Sequence, residues 1–386
     1  MSFYKKSMIS SVVVIFISLL VAYYEGAFGS HILLQKTQFG QLAGWDQDDQ
    51  AAALKAFQKS CVSILKRSPD QSYFHLTEAG NTQAWQRLCV AANQLTSVDR
   101  KSARQFFETY FMPYVVRDHW NTRGLFTGYY LPAIEGSLHK IKQASAPIYA
   151  VPSDLVKVDL GLFNKAWLDK TLVGQLKGHA LRPYPDREAI QQGAIRSQGK
   201  VIAWASSRAD LFFAEIQGSA IVRLPHHQCL LIGFASTNGQ PYTAIGKILI
   251  KKKEIEKSKM SMQAIRDWLS SHPDQADALL NQNASYVFFR VLKEKAPLGT
   301  EQVPLTAERS LAVDTHYIPL GAPLWLETTL PNATAYHHLL VAQDVGGAIK
   351  GAVRGDIYWG EGTTAADQAG HMRQPGRYWL LLPREV

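Results

Sequence analysis

The period of the apolar residues changes near Gly124, and this change constrains the fold more than any other feature of the sequence. Before it, apolar side chains recur at three- and four-residue spacing, which is the period of amphipathic helices. Three helices are therefore predicted, at residues 48–67, around 85–92 and at 102–112. The aromatic residues of the third helix are typical of core packing rather than of a ligand platform.

After Gly124 the chain consists mainly of short runs rich in Val, Ile, Phe and Tyr, separated by Gly and Pro, as is typical of β-strands. Two short helices interrupt them, at residues 261–270 and 276–280. The predicted strands cover residues 125–132, 148–151, 201–205, 212–216, 220–224, 229–234, 310–313, 323–327, 338–342, 348–353 and 378–382. The sequence thus predicts a mainly β (α+β) protein with a helical N-terminus and two β-rich regions.

The length of 386 residues allows two or three domains, and a composition of 46% hydrophobic and 19% charged residues is ordinary for a globular protein. The formal net charge of +9 favours acidic surroundings, namely nucleic acid, membrane headgroups or an anionic cell-wall polymer. Charge alone does not select among these. The densest lysine run, residues 247–259, is interrupted by Ile, Leu and Glu, so we interpret it as a solvated surface rather than a nucleic-acid site.

The first 30 residues have the features of a targeting segment. Lys5 and Lys6 precede an apolar run at residues 8–24, and residues 27–29 offer a small-x-small cleavage site. The run is short for a transmembrane helix and slightly long for a signal-peptide core, so a cleaved signal peptide and a retained anchor both stay open. No Cys lies near its end to be lipidated. Either way we expect export, which disfavours nucleic acid as a partner.

The three cysteines, Cys61, Cys89 and Cys229, do not have the spacing of a metal site, so we expect neither a metal nor another cofactor. In an oxidising compartment Cys61 and Cys89 could join two adjacent helices and leave Cys229 as a buried thiol. Three buried free thiols are the alternative, because the sequence does not give the distances between α-carbons.

Three acids cluster in the C-terminal β region: Asp314, Asp344 and Asp356. A small barrel can bring such turns together at one end, and neighbouring carboxylates raise the pKa of at least one of them, which suits general acid catalysis. The alternative is that Asp344 and Asp356 are turn residues that bond their own backbones. No GxSxG elbow and no HExxH motif occurs in the sequence, and its histidines are expected to be structural or at the surface.

Eight short motifs, in one order along residues 120–382, resemble the membrane-bound lytic murein transglycosylase A family. They are residues 126–130 (FTGYY), 215–220 (EIQGSA), 242–247 (YTAIGK), 261–266 (SMQAIR), 285–289 (SYVFF), Asp314 with 318–321 (IPLG), 344–351 (DVGGAIKG) and 356–358 (DIY). The resemblance implies a double-psi β-barrel with an inserted second β-rich domain and a groove between them that holds a glycan strand.

The resemblance also implies domain boundaries. Residues 1–30 are a signal peptide or anchor, residues 31–132 together with 300–386 form the helical N-terminus and the barrel, and residues 133–299 form the inserted domain. The chain is expected to be a periplasmic monomer that binds peptidoglycan glycan strands, with other proteins of cell-wall synthesis or remodelling as further candidate partners.

The implied reaction cleaves the β-1,4 bond between N-acetylmuramic acid and N-acetylglucosamine and leaves a 1,6-anhydro ring. The single catalytic acid of the family falls on Asp356, with Asp344 as the neighbour that tunes it and contacts the sugar. The resemblance implies lower-ranked glycan contacts at the remaining motif positions, which are Thr127, Gly128, Tyr129, Gln217, Gln263 and Lys350. For Asp314 a structural turn role is favoured, and Tyr130 and Trp359 could be sugar platforms or core.

Two rival functions stay open. An inverting β-glycan hydrolase on a similar barrel would need a second carboxylate to activate water, and Asp344 or Asp314 is the candidate. A peptidoglycan-binding protein without catalysis is the rival from another class, and the presence of Asp356 argues against it. Family members are commonly lipoproteins, so the absence of a lipidated Cys leaves the mode of anchoring open.

Overall fold

The computed structural model describes residues 32–95, 98–168, 170–294 and 296–384. The predicted targeting segment lies outside these residues, and no helix among them is long and apolar enough to cross a membrane. The described α-helices are α1 (Gln50–Ile64), α2 (Thr82–Gln94), α3 (Arg100–Tyr110), α4 (Arg187–Gln192), α5 (Arg208–Gln217), α6 (Ile245–Lys251), α7 (Met262–Ser271), α8 (Pro273–Leu280) and α9 (Gly362–His371).

The strands belong to three sheets and carry numbers in chain order. They are β1 (Ile32–Lys36), β2 (Phe111–Asp118), β3 (Gly124–Leu131), β4 (Ala133–Ser137), β5 (Ala146–Tyr149), β6 (Leu155–Asp159), β7 (Thr171–Lys177), β8 (Ala180–Pro183), β9 (Val201–Ala205), β10 (Ser219–Arg223), β11 (Cys229–Thr237), β12 (Val287–Val291), β13 (Ser310–Ala312), β14 (Pro323–Thr329), β15 (Ala335–Asp344), β16 (Arg354–Glu361) and β17 (Arg373–Pro383). The chain therefore has the mixed α+β composition that the sequence predicts.

The three N-terminal helices form as predicted, and each begins at a capping residue. Asp49 accepts a hydrogen bond from a backbone N–H of α1, Asn81 does so for α2, and Asp99 caps α3 through a capping box. The apolar face of α1 is fully buried. The third helix ends earlier than predicted, because Phe111 begins β2.

Cys61 of α1 and Cys89 of α2 form a disulfide, with their α-carbons 5.2 Å apart. This confirms the pairing that an oxidising compartment favours. The predicted burial of Cys229 is wrong, because its side chain is exposed. Cys229 is the first residue of β11 and pairs with Arg223 next to the turn of that hairpin, residues 224–228.

The largest sheet has the strand order β1-β2-β17-β14-β15-β13-β16-β3, and β17 also pairs with β3. The additional pairing closes six of the eight strands, from β17 through β14 to β3, into a ring. Strands β14 and β15 are buried over most of their length, which explains the apolar runs at residues 323–326 and 339–342. Their side chains and those of α1–α3 belong to one hydrophobic core.

Residues 133–291 form the other two sheets. The second has the order β12-β11-β10-β4-β9-β5, and the third is the small sheet β6-β7-β8. Helix α5 lies between two hydrophobic clusters, one under the second sheet and one formed with α6, α7 and α8. β3 leads into β4 through a single residue, Pro132, and the chain returns from β12 to β13 of the ring through residues 292–309.

Two predicted strands are helix and loop in the structure. Residues 212–216 lie inside α5, where Leu211, Phe212, Phe213 and Ala214 are all buried because the helix packs on two sides. This hides the amphipathic period that would identify a helix. Residues 348–353 form a loop, in which Gly351 has a φ of +113° that L-residues rarely adopt.

Helix α5 ends at Gln217, and Gly218, with a φ of +78°, is its C-cap. The lysine run is confirmed as a solvated surface, since α6 and the following turn expose most of its lysines.

Candidate active site

Residues from five neighbouring strands form one row across the ring. Asp344 is opposite Ala312, Ala312 is opposite Asp356, Asp356 is opposite Thr127, and Thr127 is opposite Arg373. Paired residues of adjacent strands point to the same face of a sheet, so Thr127, Asp356 and Asp344 share one face. Only β13 separates the strands of the two acids, which places their α-carbons roughly 10 Å apart.

Asp356 is half-buried and has one uncommitted carboxylate oxygen. The hydroxyl of Thr127 donates a hydrogen bond to Oδ1 over 2.6 Å, whereas no described residue donates one to Oδ2. Burial raises the pKa of Asp356, and the charge of Asp344 acts in the same direction, against the Thr127 hydrogen bond and the charge of Arg354. A half-buried carboxyl with a raised pKa and a free oxygen can carry a proton to a bound molecule.

Arg354 belongs to this site, although the sequence analysis did not single it out. Its Nη2 donates a hydrogen bond to the Thr127 hydroxyl over 2.9 Å, and its Nη1 donates to the carbonyl oxygens of Leu125, at 3.1 Å, and of Gly355. Because the Thr127 hydroxyl accepts from Arg354, its own proton is directed at Asp356. The signal in the sequence is the spacing, since Arg354 and Asp356 are two positions apart on one strand and therefore share a face.

Asp344 accepts hydrogen bonds on both oxygens. Oδ1 accepts from the backbone N–H of Thr300 (2.9 Å), from the Thr300 hydroxyl (3.0 Å) and from the N–H of Val345 (2.9 Å), and Oδ2 accepts from the Tyr129 hydroxyl (3.0 Å). Burial raises the pKa of Asp344 although these hydrogen bonds oppose the rise. Burial and the two neighbouring acids raise the pKa of Tyr129 well above its ordinary value, so the phenol stays protonated and donates.

Asp314 lies outside this row and holds a loop. Its Oδ2 accepts a hydrogen bond from the N–H of Gly351 (2.9 Å), and its Oδ1 from the N–H of His316 (3.2 Å), with His316 Nδ1 at 2.8 Å. Burial raises the pKa of Asp314, but the hydrogen bonds and the nearby charge of exposed Lys350 outweigh it, and the pKa lies below its ordinary value. This carboxyl therefore stays ionised and fastens the loop between β15 and β16.

Comparison with known proteins identifies the family. Residues 125–290 match the family model described as the MltA specific insert domain, and residues 309–382 match the 3D domain. The membrane-bound lytic murein transglycosylase A of Escherichia coli is 34% identical over 279 residues, which cover 68% of this chain and 69% of the relative. The chain belongs to the membrane-bound lytic murein transglycosylase A family. The predicted family and enzyme class, a peptidoglycan lytic transglycosylase, are thereby confirmed.

Other relatives agree. A Buchnera aphidicola homologue of the same enzyme is 33% identical over 66% of this chain and 65% of its own, so the chain spans about two thirds of the curated relatives it matches. Among solved structures, the transglycosylase of Agrobacterium tumefaciens is 32% identical, with a TM-score of 0.81 over 91% of this chain and 98% of that one. The E. coli enzyme with bound chitohexaose is 27% identical, with a TM-score of 0.66 over 91% and 95% of the chains.

In this transglycosylase A chain, Gly128 lies on the face of β3 opposite to Thr127 and packs against a helix. A Cβ at this position would come within 2.3 Å of Trp359 Nε1 and 2.9 Å of Ala369 Cα in α9. Trp359 itself is buried and packs against Tyr336 at 5.4 Å between ring centroids. Tyr130 and Trp359 are therefore core residues rather than sugar platforms, since both side chains are buried.

Gln217 and Gln263, the two glutamines of the motifs, join residues 133–291 to the ring. Gln217, at the end of α5, accepts a hydrogen bond from the backbone N–H of Tyr130 over 3.0 Å. Gln263 of α7 donates to the carbonyl of Ala366 in α9 over 3.3 Å, and its Oε1 is buried without a partner. Neither glutamine hydrogen-bonds to Asp356, so both lie outside the row of acids. Within the described part of the chain no group of three or more His, Cys, Asp or Glu residues could hold a metal ion.

Proposed function

We propose that the protein cleaves the β-1,4 bond between N-acetylmuramic acid and N-acetylglucosamine in peptidoglycan and leaves a 1,6-anhydromuramic end, with Asp356 as the sole acid and base. The observation that carries this proposal is the environment of Asp356. One oxygen is held by Thr127, the other is uncommitted, and burial raises the pKa of the carboxyl. Support for a glycan substrate comes from the related E. coli enzyme, whose structure holds chitohexaose, a β-1,4-linked sugar chain.

The proposed reaction needs no water. Protonated Asp356 gives its proton to the glycosidic oxygen, the bond from C1 of the muramic sugar to that oxygen breaks, and the N-acetylglucosamine part leaves with a free 4-hydroxyl. The C6 hydroxyl oxygen of the muramic sugar then bonds to C1, and its proton returns to the Asp356 carboxylate. The acid ends in the state in which it began, and one group performs both proton transfers.

Asp344 is proposed to act through charge and through contact with the sugar near the cleavage point. Its negative charge raises the pKa of Asp356 and favours the protonated acid. It also faces the positive charge that develops at C1 in the oxocarbenium-like transition state. Thr127 and Tyr129 hold the two carboxyl groups. Gln217, Gln263 and Lys350 remain proposed groove positions of lower rank, whereas Gly128 faces Trp359 and α9 on the other side of β3.

The finer architecture is part of this proposal. The six-stranded ring supports a double-psi β-barrel formed by residues 31–132 and 300–386, and the second and third sheets support an inserted domain at residues 133–299. The glycan would lie between the two, over the row of acids. We propose further that the enzyme is exported to the periplasm, either freed by cleavage of the first 30 residues or held by them in the inner membrane.

An inverting hydrolase is the competing enzyme, with Asp344 as the base for water. The spacing of the two acids does not separate the candidates, but Asp344 Oδ1 already accepts three hydrogen bonds, which leaves it little capacity to hold a water molecule. Digestion of purified murein sacculi in water enriched in ¹⁸O decides between them. Unlabelled 1,6-anhydro muropeptides support the proposal, and ¹⁸O-labelled reducing ends overturn it.

The assignment of the acid is tested in the same assay with Asp356→Asn. We expect a loss of about 100-fold to 10,000-fold, the usual contribution of a general acid. Asp314→Asn serves as the matched control at a second carboxyl and should retain the product type. Full activity of Asp356→Asn would move the acid elsewhere, and binding of sacculi by the wild-type protein without any turnover would make the protein a peptidoglycan-binding module.

A further inference from the structure

The small sheet β6-β7-β8 presents an apolar face that no part of the described chain covers. In its register Val158 is opposite Leu172, and Leu176 is opposite Leu181, so these side chains point to one face together with Val156. None of the five belongs to a buried hydrophobic cluster of the described residues. We name this surface the outer face.

The opposite face of the same sheet packs against the body of the protein. Leu155 of β6 contacts the cluster that contains Tyr149 and Tyr184. Val173 of β7 lies against Gly239, where an added Cβ would come within 2.6 Å of the Val173 Cβ. Because neighbouring positions on a strand alternate between faces, these contacts direct the outer face away from the protein.

The turns between β6 and β7 extend the apolar surface. The most exposed large apolar side chains of this region are Leu162 (84% exposed), Phe163 (74%), Leu168 (67%), Leu176 (62%), Leu172 (50%) and Trp167 (45%). Single exposed apolar residues are ordinary, but six within 15 positions of the chain form a patch of the kind that contacts a partner or a membrane.

The region around this patch is basic. Residues 155–183 contain five Lys or Arg and two Asp, a formal charge of +3. Lys165 and Lys170 are exposed between β6 and β7 beside the apolar side chains, whereas Lys157, Lys177 and Arg182 alternate with the outer-face residues and point to the opposite face of the sheet. Four of the six exposed side chains are leucines, which gain little from a hydrated glycan. A bilayer with anionic lipids offers hydrocarbon to the apolar side chains and phosphates to the lysines. An exposed Trp is typical of the boundary between these layers.

We propose that residues 155–183 dock the body of the enzyme onto an anionic bilayer. Leu162, Phe163, Trp167 and Leu168 enter the boundary between headgroups and acyl chains, the outer face lies along the headgroups, and Lys165 and Lys170 contact lipid phosphates. This contact is separate from the N-terminal segment and does not depend on the proposed reaction. It would hold the catalytic body beside the membrane whether or not residues 1–30 are removed.

A local probe tests the contact in the full chain. Cys229 is the free thiol of the described residues, whereas Cys61 and Cys89 are bonded to each other. In a Cys229→Ser background, a fluorophore attached to Leu168→Cys therefore reports only on position 168. The protein is reconstituted into vesicles of phosphatidylglycerol and phosphatidylcholine that carry brominated acyl chains. We expect a blue shift and strong quenching at position 168. A probe on Val90→Cys, an exposed apolar position of α2, is the control and should stay in water.

The contribution of charge is tested with the double variant Lys165→Gln/Lys170→Gln. Each basic residue near an anionic surface changes binding about fivefold, so the ratio of inserted to detached probe should fall roughly 30-fold. In vesicles of phosphatidylcholine alone, the protein with both lysines should show the same fall in the ratio of inserted to detached probe. Lys165 and Lys170 lie outside the proposed active site, so unchanged murein digestion shows that the variant is folded.

The proposal is overturned if the probe at position 168 behaves like the probe at position 90 in anionic vesicles. It is also overturned if insertion is equal in anionic and zwitterionic vesicles, because the lysines would then have no role. Burial of the probe in lipid-free solution that increases with protein concentration would assign the patch to a second copy of the chain instead.

Discussion

Thr127 and Asp356 are paired on parallel strands 229 positions apart in the sequence, and the Thr127 hydroxyl donates a hydrogen bond of 2.6 Å to the Asp356 carboxylate. The same hydroxyl accepts a hydrogen bond from Arg354. The acid therefore lies between a cation that favours its ionised form and Asp344, which favours its protonated form. The pH range of activity should depend on the balance between these two charges.

Replacing Asp344 with Asn should shift the alkaline limit of activity to lower pH. The charge of Asp344 raises the pKa of Asp356, so its removal lowers that pKa and the acid loses its proton earlier as the pH rises. Asn can still accept the hydrogen bond from Tyr129, which limits structural change. The check is the pH profile of kcat/KM for muropeptide release. Asp367→Asn, in an exposed position of α9, should leave the profile unchanged, and an alkaline shift in Asp344→Asn would contradict this account.

Replacing Arg354 should have the opposite effect on the pH profile. Arg354→Met removes a charge that lowers the pKa of Asp356, so the alkaline limit should move to higher pH. Arg354→Lys keeps the charge but loses the planar fork that contacts Thr127 and two backbone carbonyls, so it should lower kcat and leave the limit in place. Equal shifts in the two variants would show that Arg354 does not act through its charge.

Gly128→Ala should destabilise the fold without touching the acids. The added Cβ would meet Trp359 Nε1 at 2.3 Å and the backbone of Ala369 at 2.9 Å, and overpacking of this kind costs about 1–3 kcal/mol. Urea unfolding measures the loss. Gly347→Ala, where nothing lies within 4 Å, should be neutral. If the clash with the indole is the cause, Gly128→Ala combined with Trp359→Leu should cost less than the sum of the two single changes.

The sequence predicts local structure well where one face of an element is buried. The apolar face of α1 shows the helical period, and its capping residue is at the expected end. Helix α5 was predicted as a strand, because its apolar residues are buried on two sides and the period disappears. The row that joins Asp344, Asp356 and Thr127 depends on pairing between distant strands, which no local pattern specifies. The spacing of the acids suggested that Asp344 and Asp356 lie together, but only the family motifs added Thr127 to them.

The disulfide between Cys61 and Cys89 should contribute about 3.6 kcal/mol to stability, because it closes a loop of 28 residues in the unfolded chain. The comparison is urea unfolding of the wild type with and without reductant, beside the double variant Cys61→Ala/Cys89→Ala. Reductant should lower the midpoint of the wild type and leave that of the double variant unchanged. Cys229→Ser, which removes the exposed thiol, is the matched control and should respond to reductant as the wild type does.

Glu301 is a buried acid beside the active site. Ser60 donates a hydrogen bond of 2.6 Å to its Oε2, and its Oε1 has no partner among the described residues. The preceding residue, Thr300, donates two hydrogen bonds to Asp344. Burial raises the pKa of Glu301 from 4.5 to about 8, against the opposing effects of Ser60 and Arg67. The protonated form is therefore the one that fits the fold.

This pKa predicts a loss of stability as the pH rises. With a folded-state pKa of about 8 and an unfolded value near 4.5, the stabilising effect of protonation is complete below pH 4.5 and is lost progressively up to about pH 8. Within that window each pH unit should lower the free energy of unfolding by up to about 1.4 kcal/mol. Glu301→Gln mimics the protonated acid and should remove this slope. Urea unfolding at pH values from about 4.5 to about 8, the window between the two pKa values, measures it. Exposed Glu78→Gln should follow the wild type, and parallel curves for Glu301→Gln and wild type would refute the assignment.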